Sequence, residues 1–192
     1  MISRYLVNIM AHIFVSSTIK DLEEHRKKVS LALKQIGHED VAMKYFVAED
    51  KRPLNKCQEA VASSDLYIGI FALRYGYKLP RYKKSITELE YRKAIECGID
   101  CLIFMLHDDA LWPVKFVDKG EDSVKLESLR KELSKKHIVI FFKSSDELAK
   151  EVNSAVYNWE KRTGKSIIRD GKVTGVDIMQ YTEVIIKKIL QP

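Results

Sequence analysis

"LYIGIFA" (Leu66–Ala72) is the stretch on which the fold turns. It is almost continuously apolar, with no polar residue at every second position. A strand that reads this way is covered on both faces, which is the setting of a central strand in a parallel sheet. Outward from it the chain alternates. "HIFVS" (His12–Ser16) and "VAMKYF" (Val41–Phe46) read as strands before it, and "CLIFML" (Cys101–Leu106) and "IVIFF" (Ile138–Phe142) as strands after it. Each gap holds an amphipathic helical pattern.

The first helix, "TIKDLEEHRKKVSLALKQIG", carries Ile19, Leu22, Val29, Leu33 and Ile36 as much of an apolar stripe. Thr18 and Asp21 stand in capping-box register, and Gly37 stops it. Pro53 opens a second helix through "LNKCQEAVASS". "SITELEYRKAIECG" (Ser85–Gly98) is the third, and "SVKLESLRKELS" holds a fourth. "SSDELAKEVNSAVYNWEKR" is a fifth, with Ser144 and Glu147 in capping-box register. Alternating strands and helices imply an α/β fold, and a doubly wound, flavodoxin-like, five-stranded parallel sheet with extra C-terminal helices fits most simply. The expected plan is a disordered leader over 1–10, an α/β domain over 11–163, and an extension over 164–192. That extension holds a hairpin about Asp170–Gly171 and a last helix through Ile178, Ile185 and Ile189. "MAHIFVSST" opens a domain well enough that Met10 reads as an alternative start.

The chain has 192 residues, 46% hydrophobic and 31% charged, enough to bury a core without covalent staples. Lys and Arg number 33 against 27 Asp and Glu, giving +6, with both signs interspersed. That is a mildly basic surface and not, alone, a nucleic-acid footprint. Three cysteines with no CxxC pair argue against a disulfide framework or zinc site; Cys97 and Cys101 read as buried free thiols of a cytoplasmic protein. No apolar run reaches the ~20 residues of a membrane span. Neither GxGxxG nor a P-loop occurs, and "HDD" (His107–Asp109) has no companion at metal-ligand spacing. No metal and no cofactor are expected.

In such sheets ligands bind beyond the carboxyl ends of the strands, near the topological switch point. That rule selects Ser16, Ser17 and Thr18, the loop 49–53, Leu73–Tyr77 and His107–Asp109. The helix after the central strand adds two glutamates two residues apart. At about 100° per residue, Glu88 shares an arc with Arg92, Lys93 and Glu96, the wet face. Glu90 falls among Ile86, Cys97, Ala94 and Tyr91, on the apolar face. A carboxylate there needs partners. It is either a structural tether or a cleft carboxylate with a chemical role.

The order "IFVSST…D", "SDLYIGIFALRYGY" and "SITELEYRKAIECGIDCLIFM" resembles a bacterial TIR-like family of unknown function, often fused to NTPase-linked defence and signalling proteins. The resemblance is clear over about 11–106. More distantly the chain is similar to TIR domains that cleave NAD. In those, a Glu on the helix after strand three is catalytic, and Glu90 stands in its place; where they often carry Trp-Cys just before it, this chain reads "SITEL". The resemblance implies a TIR-like nucleotide-binding effector of antiviral defence that self-associates, with NAD as substrate rather than cofactor. Ser16, Ser17, Thr18, Arg74, Tyr75, Tyr77 and Ser85 would contact a nicotinamide or adenine nucleotide, Arg74 at phosphate and the tyrosines by stacking on a base. Lys78, Arg81, Lys83 and Lys84 are further phosphate candidates or a solvated basic loop. Ser17 or Thr18 equally suits a helix cap. Two other classes fit: a non-catalytic interaction module, and a glycosidic-bond enzyme like the nucleoside deoxyribosyltransferases, which share a flavodoxin-like sheet and a Glu nucleophile.

Overall fold

The computed structural model describes residues 10–42 and 54–164, together with the backbone of 168–169 and 172–173. The expected leader (but for Met10), the loop 49–53 and the last helix lie outside them. Two compact units divide the chain, Ala11–Asn153 and Met1–Met10 with Ser154–Pro192.

The first unit holds five parallel strands: β1 (His12–Ser17), β2 (Glu39–Asp40), β3 (Leu66–Phe71), β4 (Asp100–Leu106) and β5 (Val139–Phe142). Their order is β2-β1-β3-β4-β5. This is the doubly wound, flavodoxin-like sheet that the alternating pattern implies. All six residues of β3 are buried, as its apolar run requires. The helices are α1 (Glu23–Gln35), α2 (Leu54–Ala62), α3 (Ile86–Glu96), α4 (Glu121–Lys136) and α5 (Ser145–Thr163). Ala60 and Val61 of α2, Tyr91 and Ala94 of α3, and Leu126, Leu129 and Leu133 of α4 close one core over Phe14, Tyr67 and Phe71. On the other face α1 meets the first turn of α5, where Ser145 donates to Glu24 at 2.9 Å and Lys28 to Asp146 at 2.8 Å. The Ser144 hydroxyl accepts from the Glu147 N–H, and Glu147 reaches back to the Lys143 N–H, so the capping pair acts as its spacing indicates.

Several expectations are corrected. The second strand is Glu39–Asp40, and Val41 and Ala42, expected to open it, form a 3-10 turn; the rest of the expected strand, 43–46, lies outside the described residues. Helix α1 begins at Glu23, its N-terminal cap is Leu22 with no side-chain bond, and Ile19 is half exposed in the preceding turn. Thr18 and Asp21 therefore do not form a capping box. Cys97 is exposed at the end of α3 and Cys101 only partly buried. In the second unit, β6 (Ile168–Arg169) pairs antiparallel with β7 (Lys172–Val173). No helix among the described residues is long and apolar enough to cross a membrane.

Candidate active site

β1 has β2 on one side and β3 on the other, so the chain reverses direction across the sheet there. Open α/β sheets place ligands at the carboxyl ends of strands beside such a point. Ser16 and Ser17 end β1, paired with Gly69 and Ile70 of β3. Successive strand residues point to opposite faces, and the two serines take different partners. Ser16 turns to the face of α2 and α3, where its hydroxyl donates to Glu90 Oε2 at 2.5 Å. Ser17 accepts from the buried Arg26 of α1 at 2.9 Å and donates to the Thr18 carbonyl at 2.8 Å.

Glu90 sits in the second turn of α3 and is 2% exposed. Reaching Ser16 takes its carboxylate across β3 to the end of β1. Gly69, paired with Ser16, has no side chain, and the rings of Tyr67 and Phe71 close over the space it leaves. Tyr67 is fully buried. Burial first, and the Glu90 carboxylate second, push its hydroxyl well above the ordinary phenol value. The 100° periodicity of α3 puts Glu90 on the inner face, and the structure does the same.

Glu88 is different from its expected wet position: it is 6% exposed. Tyr75 donates to its Oε2 at 2.5 Å, and Lys84 and Arg92 reach its Oε1 at 2.5 and 3.0 Å. Burial opposes its ionisation, but those three donors outweigh it and hold the carboxyl below its usual range. Arg92 also donates to Glu132 of α4 at 2.5 Å. The pairing of Glu88 with Arg92 stands and Glu96 on the same arc is exposed, but Glu88 itself is not solvated, because Tyr75 from the loop after β3 and Arg92, held by Glu132 of α4, cover it.

The remaining candidates divide. Thr18 is buried beside Gly76, close to Thr87. Arg74 is directed at Asp118, with Nε 3.4 Å from the carboxylate. Tyr75 is 3% exposed and its hydroxyl is committed to Glu88, so it offers no face for a base. Tyr77 is 61% exposed, at the rim. Ser85 is fully buried and caps α3, its hydroxyl accepting from the Glu88 N–H at 3.2 Å; this is a structural duty. Of the basic loop, Lys78 pairs with Asp122 and Lys84 with Glu88. The structure therefore joins Ser16 to Glu90 at the carboxyl end of β1, places Thr18 and Ser85 on either side of Gly76 close by, commits the Tyr75 hydroxyl to Glu88 and leaves Tyr77 at the rim.

Sequence reasoning passed over Asp21, reading it as a cap. It is a buried carboxyl, 8% exposed, in the turn after β1. Its signal was the position itself, four residues past Ser17, where β1 ends. Three or more His, Cys, Asp and Glu side chains arranged for a metal do not occur among the described residues.

No curated protein sequence matches the chain. Among solved structures it is similar to the Clostridium botulinum CMP N-glycosidase BcmB, at 14% identity and a TM-score of 0.46, over 75% of this chain and 98% of that one. The family match is of another kind and does not extend to a TIR-like assignment. Residues 12–157, well over half of the protein, match the model of a domain of unknown function, and the chain belongs to that family, DUF4062.

Proposed function

We propose that this protein acts on the N-glycosidic bond of a nucleotide or nucleoside, with Glu90 as the carboxylate that meets the anomeric carbon. The observation that carries this reading is the placement of Glu90: a carboxyl buried to 2% exposure, aimed at the carboxyl end of β1 and oriented there by Ser16. Breaking such a bond builds positive charge on the sugar, and a fixed carboxylate in a water-poor site stabilises it far better than one in bulk water. Such a Glu serves either as nucleophile or as electrostatic partner. A sugar that reaches it must displace side chains now packed over it. NAD, whose nicotinamide leaves as a neutral group from a cationic one, is the substrate that the TIR-like resemblance nominates.

Near-complete burial favours a second reading, in which Glu90 is a tether between α3 and β1 in a non-catalytic interaction module. One experiment separates the two. Concentrated wild type and Glu90→Gln are incubated with NAD, free nucleosides and nucleoside monophosphates, and released base is measured by chromatography. The enzymatic reading expects release by wild type and a loss of about 100-fold or more in Glu90→Gln. No release by wild type from any of the three overturns it and leaves the tether.

A further inference from the structure

A second carboxyl lies at the same switch point. Asp21 is 8% exposed, and among the described residues neither of its oxygens has a hydrogen-bond partner in good geometry. The Thr18 hydroxyl and the Asp21 backbone N–H adjoin it, in poorer alignment. The charged groups that reach it come from two other segments. Arg74, in the loop after β3, attracts it; Asp118, between β4 and α4, repels it. Arg74 is already directed at Asp118, so one guanidinium serves two carboxyls, and Asp21 is the one without a direct contact. Burial raises the Asp21 pKa most, Asp118 adds to the rise, and Thr18, the backbone N–H and Arg74 oppose it. The net shift is upward, towards the neutral acid.

Gly76 lies between the turn that carries Asp21 and the helix that carries Glu90. A Cβ placed there would lie 3.2 Å from Thr18 Cγ2 and 3.3 Å from Thr87 Oγ1, and its φ of +101° also selects glycine. Thr18 adjoins Asp21. Thr87 lies one helical turn before Glu90, and Ser16, two residues before Thr18, holds the Glu90 carboxylate. The turn that carries Asp21 and the helix that carries Glu90 thus approach each other through Thr18 and Thr87 on either side of Gly76.

We propose that Asp21 is the proton donor to the departing base. This rests on the glycosidic reading of Glu90 and adds the substrate class: nucleosides whose uncharged bases cannot leave without a proton. The C1′–N bond breaks, its electron pair goes to the base, and a base nitrogen takes the Asp21 proton. Glu90 stabilises the cationic sugar. Water then bonds to C1′ and returns a proton to the Asp21 carboxylate. Cationic substrates, such as NAD or an N7-methylated purine nucleoside, leave without that proton.

The test compares wild type, Asp21→Asn and Glu90→Gln on a purine nucleoside, its N7-methylated cationic analogue and NAD, with circular dichroism as the folding control. Asp21→Asn should lose about 100-fold or more on the neutral nucleoside, the lower end of what general acid catalysis contributes, and stay within about threefold on the cationic substrates. The wild-type rate on the neutral nucleoside should fall as pH rises through the Asp21 titration, and the Asp21→Asn rate should not. Thr18→Val removes a group that favours the ionised form, so it should move that fall to higher pH. Equal loss on both substrate classes, or no loss on either, overturns the proton-donor role while the Glu90 reading stands. Glu90→Gln that keeps its activity, or wild type that cleaves nothing, removes both.

Discussion

Glu88 and Glu90 differ by two positions and by almost everything else. Both are buried, yet Glu88 is surrounded by Tyr75, Lys84 and Arg92, while Glu90 turns to a hydroxyl at a strand end. A charged network of the first kind is structural: its donors are supplied from the protein and leave little for a ligand. The second kind is aimed at the strand ends, where open α/β sheets bind ligands, which suits chemistry. Ser16 is then a positioning residue. Ser16→Ala should lower base release by about tenfold or more, since misorienting a reacting group is costly. It should lower stability by only about 1–2 kcal/mol, the cost of one buried hydrogen bond to a charged partner. Urea unfolding beside the turnover assay checks this; a stability loss with unchanged turnover would leave Ser16 a purely structural partner. At this scale the inward turn of Glu90 was legible from 3.6-residue periodicity. The burial of Glu88 was not, because its cover includes Tyr75 from a loop and Glu132 of α4, linked to it through Arg92.

Strand β3 was the most legible element and also explains how α3 delivers Glu90. A methyl group at Gly69 would stand 2.8 Å from Phe71 Cε2, 2.9 Å from Tyr67 Cε1 and 3.2 Å from Ile103 Cδ1. Those rings are in the core that α3 packs on. Gly69→Ala should therefore cost about 1–3 kcal/mol by overpacking, read as a lower urea midpoint at unchanged slope. A neutral result would show that the rings shift freely. The edge was less legible. "VAMKYF" has strand-like residues, but pairing with β1 is made by Glu39 and Asp40 just before it. Propensity reports which residues suit a pleated surface and is silent on which ones meet a neighbour. The same limit hid Asp21: the chain turns inward after β1 before α1 begins, and a local pattern of Thr and Asp reads as a cap.

Across the whole molecule, the carboxyls shifted by their surroundings respond to acid in opposite directions. Glu132 is held down to about 2, first by its bonds from Arg92 and Lys136, against the small effect of burial; Glu88 is lowered as well. A depressed folded value stabilises above the ordinary carboxylate value of 4.5 and loses that effect as pH falls from there towards about 2. Asp21 is raised, so it favours the fold below its ordinary value of 3.8 and opposes it as pH climbs through the higher folded one. Thermal melts should show wild type losing stability between about pH 4.5 and 2 and Glu132→Gln losing less over that window; equal slopes would assign acid loss elsewhere. By itself the amino-acid order determined the class of fold, the central strand, the helix count of the α/β unit and the inward turn of Glu90. Each follows from periodicity and continuous apolar runs, which are properties of neighbours along the chain. Tertiary structure alone decided that Ser16 meets Glu90, that Tyr75 and Ser85 serve the scaffold, and that Asp21 lies buried beside Thr18. Those outcomes depend on which strand ends and loops are brought together, and Ser16 and Glu90 stand 74 positions apart along the chain.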